Sequence, residues 1–409
     1  LAPCGPYLSS HHTTVWGAAP NFDRSEHAVA VRRMFAANAI HWLDDYHFDG
    51  LRVDAIHCMK DESEPHVVAE ISHAVQSWSE ETNRPAMLIA ESNVYDPNMI
   101  TPLDAGGMGF DAEWCDDFLH SVFAVARPGE QLCHRGYQRG DDLEQTLKYG
   151  FVFEGTLREE RGRRKLTERV DTSRLVYSIQ HHDFIGNHPL GKRLHQVTSH
   201  DFQRAAATLL FLTPAIPMIF MGEEFACENP FRFFVDFGDA DLRTAVVEGR
   251  KREYPQHDWS GGLLPIDPGA FFTSKIGDAE AGNQEMRDWY RQLIIARKCW
   301  RSAGVIADNN MYVSCDHELG VYCIHYQSNA GRISAMVRLS SNGADSGPIA
   351  MSEILTDTMS TEVIFNSRGN AVEPGRLLMD HAVVLADSSA ATALREFSRE
   401  SKGKGQTPT

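Results

Sequence analysis

The stretch Gly50-Leu51-Arg52-Val53-Asp54 decides the fold class of this chain. A short apolar run that ends in a carboxylate is typical of a buried parallel strand, which delivers a side chain to the C-terminal edge of its sheet. Residues 86–91 repeat this pattern and end at Glu91, and residues 175–180 are followed by His181-His182-Asp183. Because (β/α)8 barrels build their active sites at that edge, the three acids predict a site there.

Strand and helix patterns alternate through the first part of the chain. Apolar residues recur at helical spacing over 26–46, 65–78 and 201–212, and the other strand patterns cover 110–114 and 216–221. This alternation predicts an α/β fold of the (β/α)8 TIM-type barrel, with five strand–helix units, about three fewer than a closed barrel contains. We expect residues 126–173 to form an inserted active-site loop.

The pattern changes after residue 300. Short β-type runs at 311–315, 320–326 and 332–338 are separated by Gly, Asn and Asp, which indicates a small C-terminal antiparallel β domain. The predicted organisation is an N-terminally incomplete catalytic barrel at 1–300 and a β-sandwich domain at 301–398. A polar tail at 399–409 is expected to be disordered.

Composition limits the classes of partner. The 409 residues are 42% hydrophobic and 23% charged, as in ordinary soluble domains, and the net charge of −17 argues against nucleic acid or anionic membrane. A neutral sugar is compatible with this charge. Eight scattered cysteines without a Cys-x-x-Cys pair favour a reducing, cytoplasmic compartment. The most apolar stretch, 209–221, is too short to span a bilayer.

The three acids fit glycoside hydrolysis, which uses two carboxylates that flank the scissile bond. Arg52 would keep Asp54 ionised, although an ordinary ion pair at a strand end explains the same pattern. Apolar neighbours would raise the pKa of Glu91, as a general acid requires, although an acid at a helix N-terminus is an equal alternative. His182-Asp183 could contact sugar hydroxyls, ligate a metal or cap a loop.

Residues 50–55 resemble the nucleophile motif of the alpha-amylase clan of glycoside hydrolases. Glu91 and His182-Asp183 stand where that clan has its general acid and its transition-state stabiliser. The resemblance implies that Asp54 attacks the anomeric carbon, Glu91 protonates the leaving oxygen and Asp183 binds sugar hydroxyls. It also implies that Arg52 orients Asp54, and that the reaction retains anomeric configuration through a covalent glycosyl-enzyme.

Further motifs resemble one family of that clan, the maltooligosyltrehalose trehalohydrolases. They are residues 14–23, 54–57, 89–93, 109–118, 221–224, 230–236 and 248–253. The resemblance implies hydrolysis of the α-1,4 bond beside the terminal trehalose of maltooligosyl trehalose, or action on a related α-glucan. It implies no cofactor and no metal. The implied substrate contacts are Arg52, His57, His182, Asp117, Glu224 and Phe231.

The chain departs from the pattern of this family in three places. His181 replaces an asparagine and Phe184 replaces a glutamine, both beside the site. The family's N-terminal β domain, first three barrel strands and Asp-x-x-x-Asn-His motif are not found in the sequence. We therefore expect the 409 residues alone to be poorly stable and weakly active or inactive. A branching enzyme of the same clan and an inactive glucan-binding protein remain the alternatives.

Overall fold

The structure is a computed structural model. It describes residues 5–14, 17–23, 26–128, 130, 136–138, 140–155, 164–165, 168–255, 257–339, 347–354, 361–369 and 373–404. The helices, in chain order, are α1 (Ala28–Asp44), α2 (Val67–Thr82), α3 (Asp117–Ala126), α4 (Asp141–Tyr149), α5 (His182–Gly186), α6 (Leu194–Val197), α7 (His200–Leu212), α8 (Ala240–Glu253), α9 (Pro268–Thr273), α10 (Gln284–Ser302) and α11 (Ser388–Lys404).

The strands fall into an N-terminal series and a C-terminal series. The first series is β1 (Leu8–Thr14), β2 (Gly17–Pro20), β3 (Gly50–Val53), β4 (Met87–Glu91), β5 (Ala112–Trp114), β6 (Phe153–Glu154), β7 (Arg164–Lys165), β8 (Leu175–Tyr177) and β9 (Ile216–Pro217). The second is β10 (Met311–Asp316), β11 (Val321–Ser328), β12 (Gly331–Arg338), β13 (Ile349–Ala350), β14 (Glu362–Asn366), β15 (Arg376–Leu377) and β16 (His381–Ala386).

Backbone contacts divide the chain into two compact units, which are described one at a time. Unit 1 comprises Leu1–Asp117 and Tyr149–Val176, and unit 2 comprises Phe118–Lys148 and Tyr177–Thr409. These boundaries follow contacts and differ from the predicted division at residue 300. The division into a barrel domain and a C-terminal domain therefore stays a prediction.

The central sheet of unit 1 is parallel, as the short apolar runs predict. β3 pairs with β4, β4 with β5, and β5 with the first two residues of β8. In this register Val53 lies opposite Ala90, and Glu91 lies opposite Trp114, so the strand ends meet at one edge. α1 and α2 cover the sheet with a buried apolar cluster. At Gly50 a Cβ would lie 2.4 Å from the carbonyl oxygen of Met87, so only glycine allows this close pairing.

In unit 2 the strand predicted over 216–221 is shorter than expected. Only β9, Ile216–Pro217, has strand geometry, and the Met218 N–H donates to the Tyr177 carbonyl at 2.8 Å. Pro217 has no N–H for a ladder, and Gly222 turns the chain at a φ of +84°. The prediction of a loop over 126–173 also needs correction, because residues 141–149 form α4, whose first turn carries three acids.

The C-terminal β runs are confirmed as strands of an antiparallel sheet. Its strand order is β10-β11-β12-β16-β14, and β13 pairs separately with β15. The tail predicted to be disordered from residue 399 is helical as far as Lys404. Ala390, Ala391 and Leu394 are buried in the first half of α11, and the helix continues from this packed part into the polar residues. Residues 405–409 lie outside the described part of the chain. No described helix is long and apolar enough to cross a membrane.

Candidate active site

Arg52 connects the two acids at the ends of β3 and β4. Its Nη1 lies 2.6 Å from Oδ1 of Asp54, and its Nη2 lies 3.7 Å from Oε2 of Glu91. Asp54 is exposed, with 74% of its side chain accessible, whereas Glu91 retains 15%. The structure thus brings together the three predicted residues of this edge and gives the two carboxylates different environments.

The backbone of Ala55 supplies a further contact to Glu91. Its N–H donates to Oε2 of Glu91 at 2.6 Å. Ala55 adopts the left-handed conformation with a φ of +47°, which costs a residue that has a Cβ about 1 kcal/mol. A strained residue that points its amide at a carboxylate is typical of a functional turn.

The environment of Glu91 raises its pKa above the usual value for glutamate. Burial of the carboxyl is the main cause, and the negative charges of Asp54 and Asp116 act in the same direction. The Ala55 N–H and the Arg52 guanidinium oppose the shift without cancelling it. A carboxyl with this balance keeps its proton to higher pH than a solvated glutamate, which suits a proton donor.

Trp114 forms the next side of the site. The Arg52 guanidinium lies over its indole ring, 4.4 Å from the centroid, and the indole N–H donates to Oδ1 of Asp116 at 2.6 Å. The Asp116 N–H in turn donates to the hydroxyl of Tyr95 at 2.9 Å. Stacking on an indole fixes the plane of a guanidinium, so Trp114 orients the side chain that contacts both acids.

His57 contacts the loop that follows β4. Its Nδ1 accepts the N–H of Asn93 at 3.3 Å, and its Nε2 lies 3.4 Å from the Asn93 side-chain nitrogen. His57 is half-buried and Asn93 is exposed. The pair therefore presents imidazole and amide groups beside Glu91, and such groups hydrogen-bond well to sugar hydroxyls.

Asp183 and His182 belong to unit 2, at the start of α5. Both side chains are exposed, and Nε2 of His182 lies 3.5 Å from Oδ2 of Asp183. His181, where the family has asparagine, is buried and caps this helix, because its Nδ1 accepts the Asp183 N–H at 3.1 Å. Phe184, where the family has glutamine, is buried edge-to-face against Phe123 with ring centroids 5.2 Å apart.

Glu224 and Phe231 follow β9 in unit 2. Both are half-buried, and the Phe231 ring packs against Phe220 with centroids 5.1 Å apart. The neighbouring Glu223 is fully buried and accepts the Tyr290 hydroxyl at 2.8 Å. Burial raises the pKa of Glu223 to about 8, so this acid is a neutral structural group beside the predicted substrate contact.

Asp117 is the predicted substrate contact that the structure does not support. Its side chain is fully buried, and Oδ2 accepts the N–H groups of Val152 at 2.7 Å and Phe153 at 3.2 Å. A carboxylate in this position holds the chain segment before β6 and offers no oxygen to a ligand in solution. We therefore assign it a structural role.

Comparison with known proteins gives a consistent result. The chain is 37% identical over 309 residues to the malto-oligosyltrehalose trehalohydrolase of Rhizobium sp. (strain M-11), covering 72% of this chain and 51% of that protein. The Saccharolobus solfataricus protein of the same name is 32% identical over 367 residues, covering 87% and 63%. A 1,4-alpha-glucan branching enzyme of Corynebacterium efficiens is 27% identical over 256 residues, covering 57% and 30%. No family model matches the chain.

The predicted resemblance is confirmed. This chain is related to the malto-oligosyltrehalose trehalohydrolases. It spans 51% of the length of the Rhizobium protein and 63% of that of the Saccharolobus solfataricus protein. A solved structure from Salmonella typhimurium, assigned as an alpha amylase, superposes with a TM-score of 0.74 at 27% identity, covering 93% of this chain and 64% of that one. The predicted fold class, an α/β barrel type with a C-terminal antiparallel sheet, is confirmed as well.

The sequence did not predict those groups of the site that act through the backbone or through stacking. The Ala55 amide carries no side-chain signal, and Asn93 lies within the family motif at residues 89–93 without a role predicted for it. Trp114 could have been found, because it ends its strand in register with Glu91 as the acids end theirs.

Proposed function

We propose that this chain carries the catalytic residues of a retaining glycoside hydrolase that releases trehalose from maltooligosyl trehalose. The observation that carries the proposal is the contact of Arg52 with both Asp54 and Glu91 at adjacent strand ends. An exposed carboxylate beside a cation and a buried carboxyl with a raised pKa are the two chemical states that double displacement requires.

The proposed first step forms a bond between Asp54 and the anomeric carbon of the glucose beside the trehalose. The bond from that carbon to the leaving oxygen breaks, and Glu91 transfers its proton to that oxygen. In the second step the Glu91 carboxylate takes a proton from water, whose oxygen attacks the anomeric carbon and frees Asp54. Asp183 and His182 would hold sugar hydroxyls during both steps, as the clan resemblance implies.

The observed distances and accessibilities support the proposed substrate contacts to different degrees. Arg52 contacts the proposed nucleophile directly, and His57 lies beside the loop that follows Glu91. His182, Glu224 and Phe231 are accessible, whereas Asp117 is buried and is no longer part of the proposal. A neutral oligosaccharide remains the partner that fits the acidic chain, and a reducing, cytoplasmic compartment fits the free thiols among the described cysteines.

A second candidate is transfer of the glucan to a sugar hydroxyl, as in a branching enzyme. It is supported by the similarity to the Corynebacterium efficiens enzyme and uses the same three acids. Product analysis separates the two, because hydrolysis yields free trehalose and transfer yields new α-1,6 branch points. An inactive glucan-binding protein would give neither product while still binding maltooligosaccharide.

The substitution Glu91→Gln tests the proposed general acid. It removes the transferable proton and keeps the shape, so we expect the rate of trehalose release to fall by about 10²–10⁴-fold with little change in oligosaccharide binding. The measurement is trehalose release in a preparation that is active, whether the 409-residue chain or a longer protein that contains it. Glu80→Gln, at an exposed position on α2, is the matched control and should leave the rate unchanged. Near-normal turnover in the Glu91 variant would remove this residue from its role.

A further inference from the structure

Two histidines and a glutamate of unit 2 converge outside the residues assigned to catalysis. His195 lies in α6, His200 is the first residue of α7, and Glu228 follows the turn after β9. Oε1 of Glu228 lies 3.5 Å from Nε2 of His195 and 4.0 Å from Nε2 of His200. One potential ligand atom from each residue lies within 4.8 Å of the other two.

Burial makes this cluster unusual. The His195 side chain is 3% exposed, yet neither of its ring nitrogens has a well-formed hydrogen bond within the described part of the chain. Nε2 of His200 is buried and lacks such a bond as well. Buried polar nitrogens without partners cost about 1–3 kcal/mol each, so the arrangement calls for a group that accepts one lone pair from each ring.

The cluster combines two imidazole rings with one carboxylate. Arg193 contributes an opposing positive potential, but its guanidinium is directed at the carbonyl groups of Asn229 at 2.7 Å and Met221 at 2.8 Å. Deprotonated imidazole and carboxylate are the forms in which these side chains bind metal ions.

Gln203 is a polar neighbour of His195 that could orient its ring. The amide of Gln203 lies beside the His195 ring and interacts with it, although its Oε1 makes no well-formed hydrogen bond within the described part of the chain. A histidine that binds a metal through one nitrogen donates its other N–H to an acceptor, which fixes the ring. Gln203 is held in place for this task, because its side-chain nitrogen donates to the Glu223 carbonyl at 2.8 Å.

We propose that His195, His200 and Glu228 bind one Zn²⁺ ion, with a water molecule as the fourth ligand. Two histidines and one carboxylate suit zinc in tetrahedral geometry, and the exposed Glu228 leaves the fourth position open to solvent. The ion would tie the α6–α7 turn to the segment that continues to Phe231. It would thereby stabilise unit 2 without taking part in the proposed glycosidic chemistry.

Titration of the metal-free chain with Zn²⁺ against a chromophoric chelator tests the site. We expect one equivalent to bind, and Zn²⁺ to raise the thermal midpoint of unfolding because it binds the folded state. His200→Asn and Glu228→Gln change accessible positions and should each weaken binding at least about tenfold. His41→Asn, which removes an exposed histidine paired with Asp45 on α1, should bind as the parent chain does.

Two results would overturn the zinc site. The first is the absence of saturable binding by a folded parent chain, as judged by circular dichroism. The second is equal affinity in the parent chain, the His200 and Glu228 variants and the His41 control, because binding would then lie elsewhere. Loss of affinity in both cluster variants with retention in the control supports the site, and it does so whether or not glycosidase activity is present.

Discussion

Glu91 shows how far single residues could be predicted from the sequence. Its apolar neighbours predict a raised pKa, which is found, and its side chain is 15% exposed. The Arg52–Asp54 contact was also predicted from their spacing, and it is confirmed at 2.6 Å. The Ala55 amide could not be predicted, because its direction depends on a left-handed turn that a residue with a Cβ rarely adopts. Burial of Asp117 depends on the later segment around Val152, which no local pattern reveals.

Asp116 provides a test of the electrostatics around Glu91. Its charge raises the pKa of Glu91, so Asp116→Asn should lower that pKa while its side-chain oxygen still accepts the Trp114 N–H. A general acid acts in its protonated form, so activity is lost as pH rises through the pKa. We therefore expect the alkaline limb of the profile of kcat/KM against pH to move to lower pH.

The matched control for this profile is Asp104→Asn, at an exposed position in the loop before β5. It should leave the alkaline limb where it is in the parent protein. An unchanged limb in the Asp116 variant would show that this carboxylate does not act on the proton donor.

At the scale of elements, periodicity predicted which segments are helices and strands, and local chemistry decided their ends. The helix predicted over 26–46 is α1, Ala28–Asp44, and the helix predicted over 201–212 is α7. The strand predicted over 216–221 fails after Pro217, because an apolar run does not distinguish a strand from buried irregular chain. The helical end of α11 was missed because its composition is polar, whereas its packing is decided by a few buried residues.

The start of α5 offers a test of the departure at His181. His181→Asn restores the family residue, and asparagine is a good N-cap, so the cap to the Asp183 N–H should persist. His181→Ala removes the acceptor and should lower the free energy of unfolding by about 1–2 kcal/mol relative to the asparagine variant. Urea denaturation of both variants measures the difference. Equal stability would mean that the cap contributes nothing measurable.

At the scale of the whole molecule, Arg297 shows what a sequence pattern does not reveal. This residue is buried on α10, and its guanidinium donates to the carbonyls of Phe211 at 2.7 Å, Thr213 at 2.5 Å and Pro214 at 3.1 Å, and also to that of Ala215. These carbonyls lie in the last turn of α7 and in the segment directly after it, where no intrahelical N–H is available, and that of Pro214 also accepts from Arg301 at 3.4 Å. A cation distant in the sequence therefore provides hydrogen bonds to the C-terminal end of α7, and the alternation of strands and helices gives no sign of it.

Arg297→Met should destabilise unit 2. It keeps most of the side-chain volume but leaves buried carbonyls without donors, so we expect a loss of at least about 3 kcal/mol in the free energy of unfolding. The measurement is urea denaturation followed by tryptophan fluorescence, since Trp289 and Trp300 lie on the same helix. Arg291→Met, at an exposed position of α10, should change stability by no more than about 0.5 kcal/mol. Equal midpoints in the two variants would contradict the role of Arg297.

Trp114 is an intrinsic fluorescent probe of the proposed site. Its indole contacts Arg52 on one face and donates to Asp116 at its edge, and both of these groups act on the charge of Glu91. Indole emission responds to nearby charge, so the difference between the emission spectra of the parent and of a Trp114→Phe variant isolates a signal from the site against the other six tryptophans. Ligand occupancy and protonation can then be followed in solution without attaching a dye to the protein.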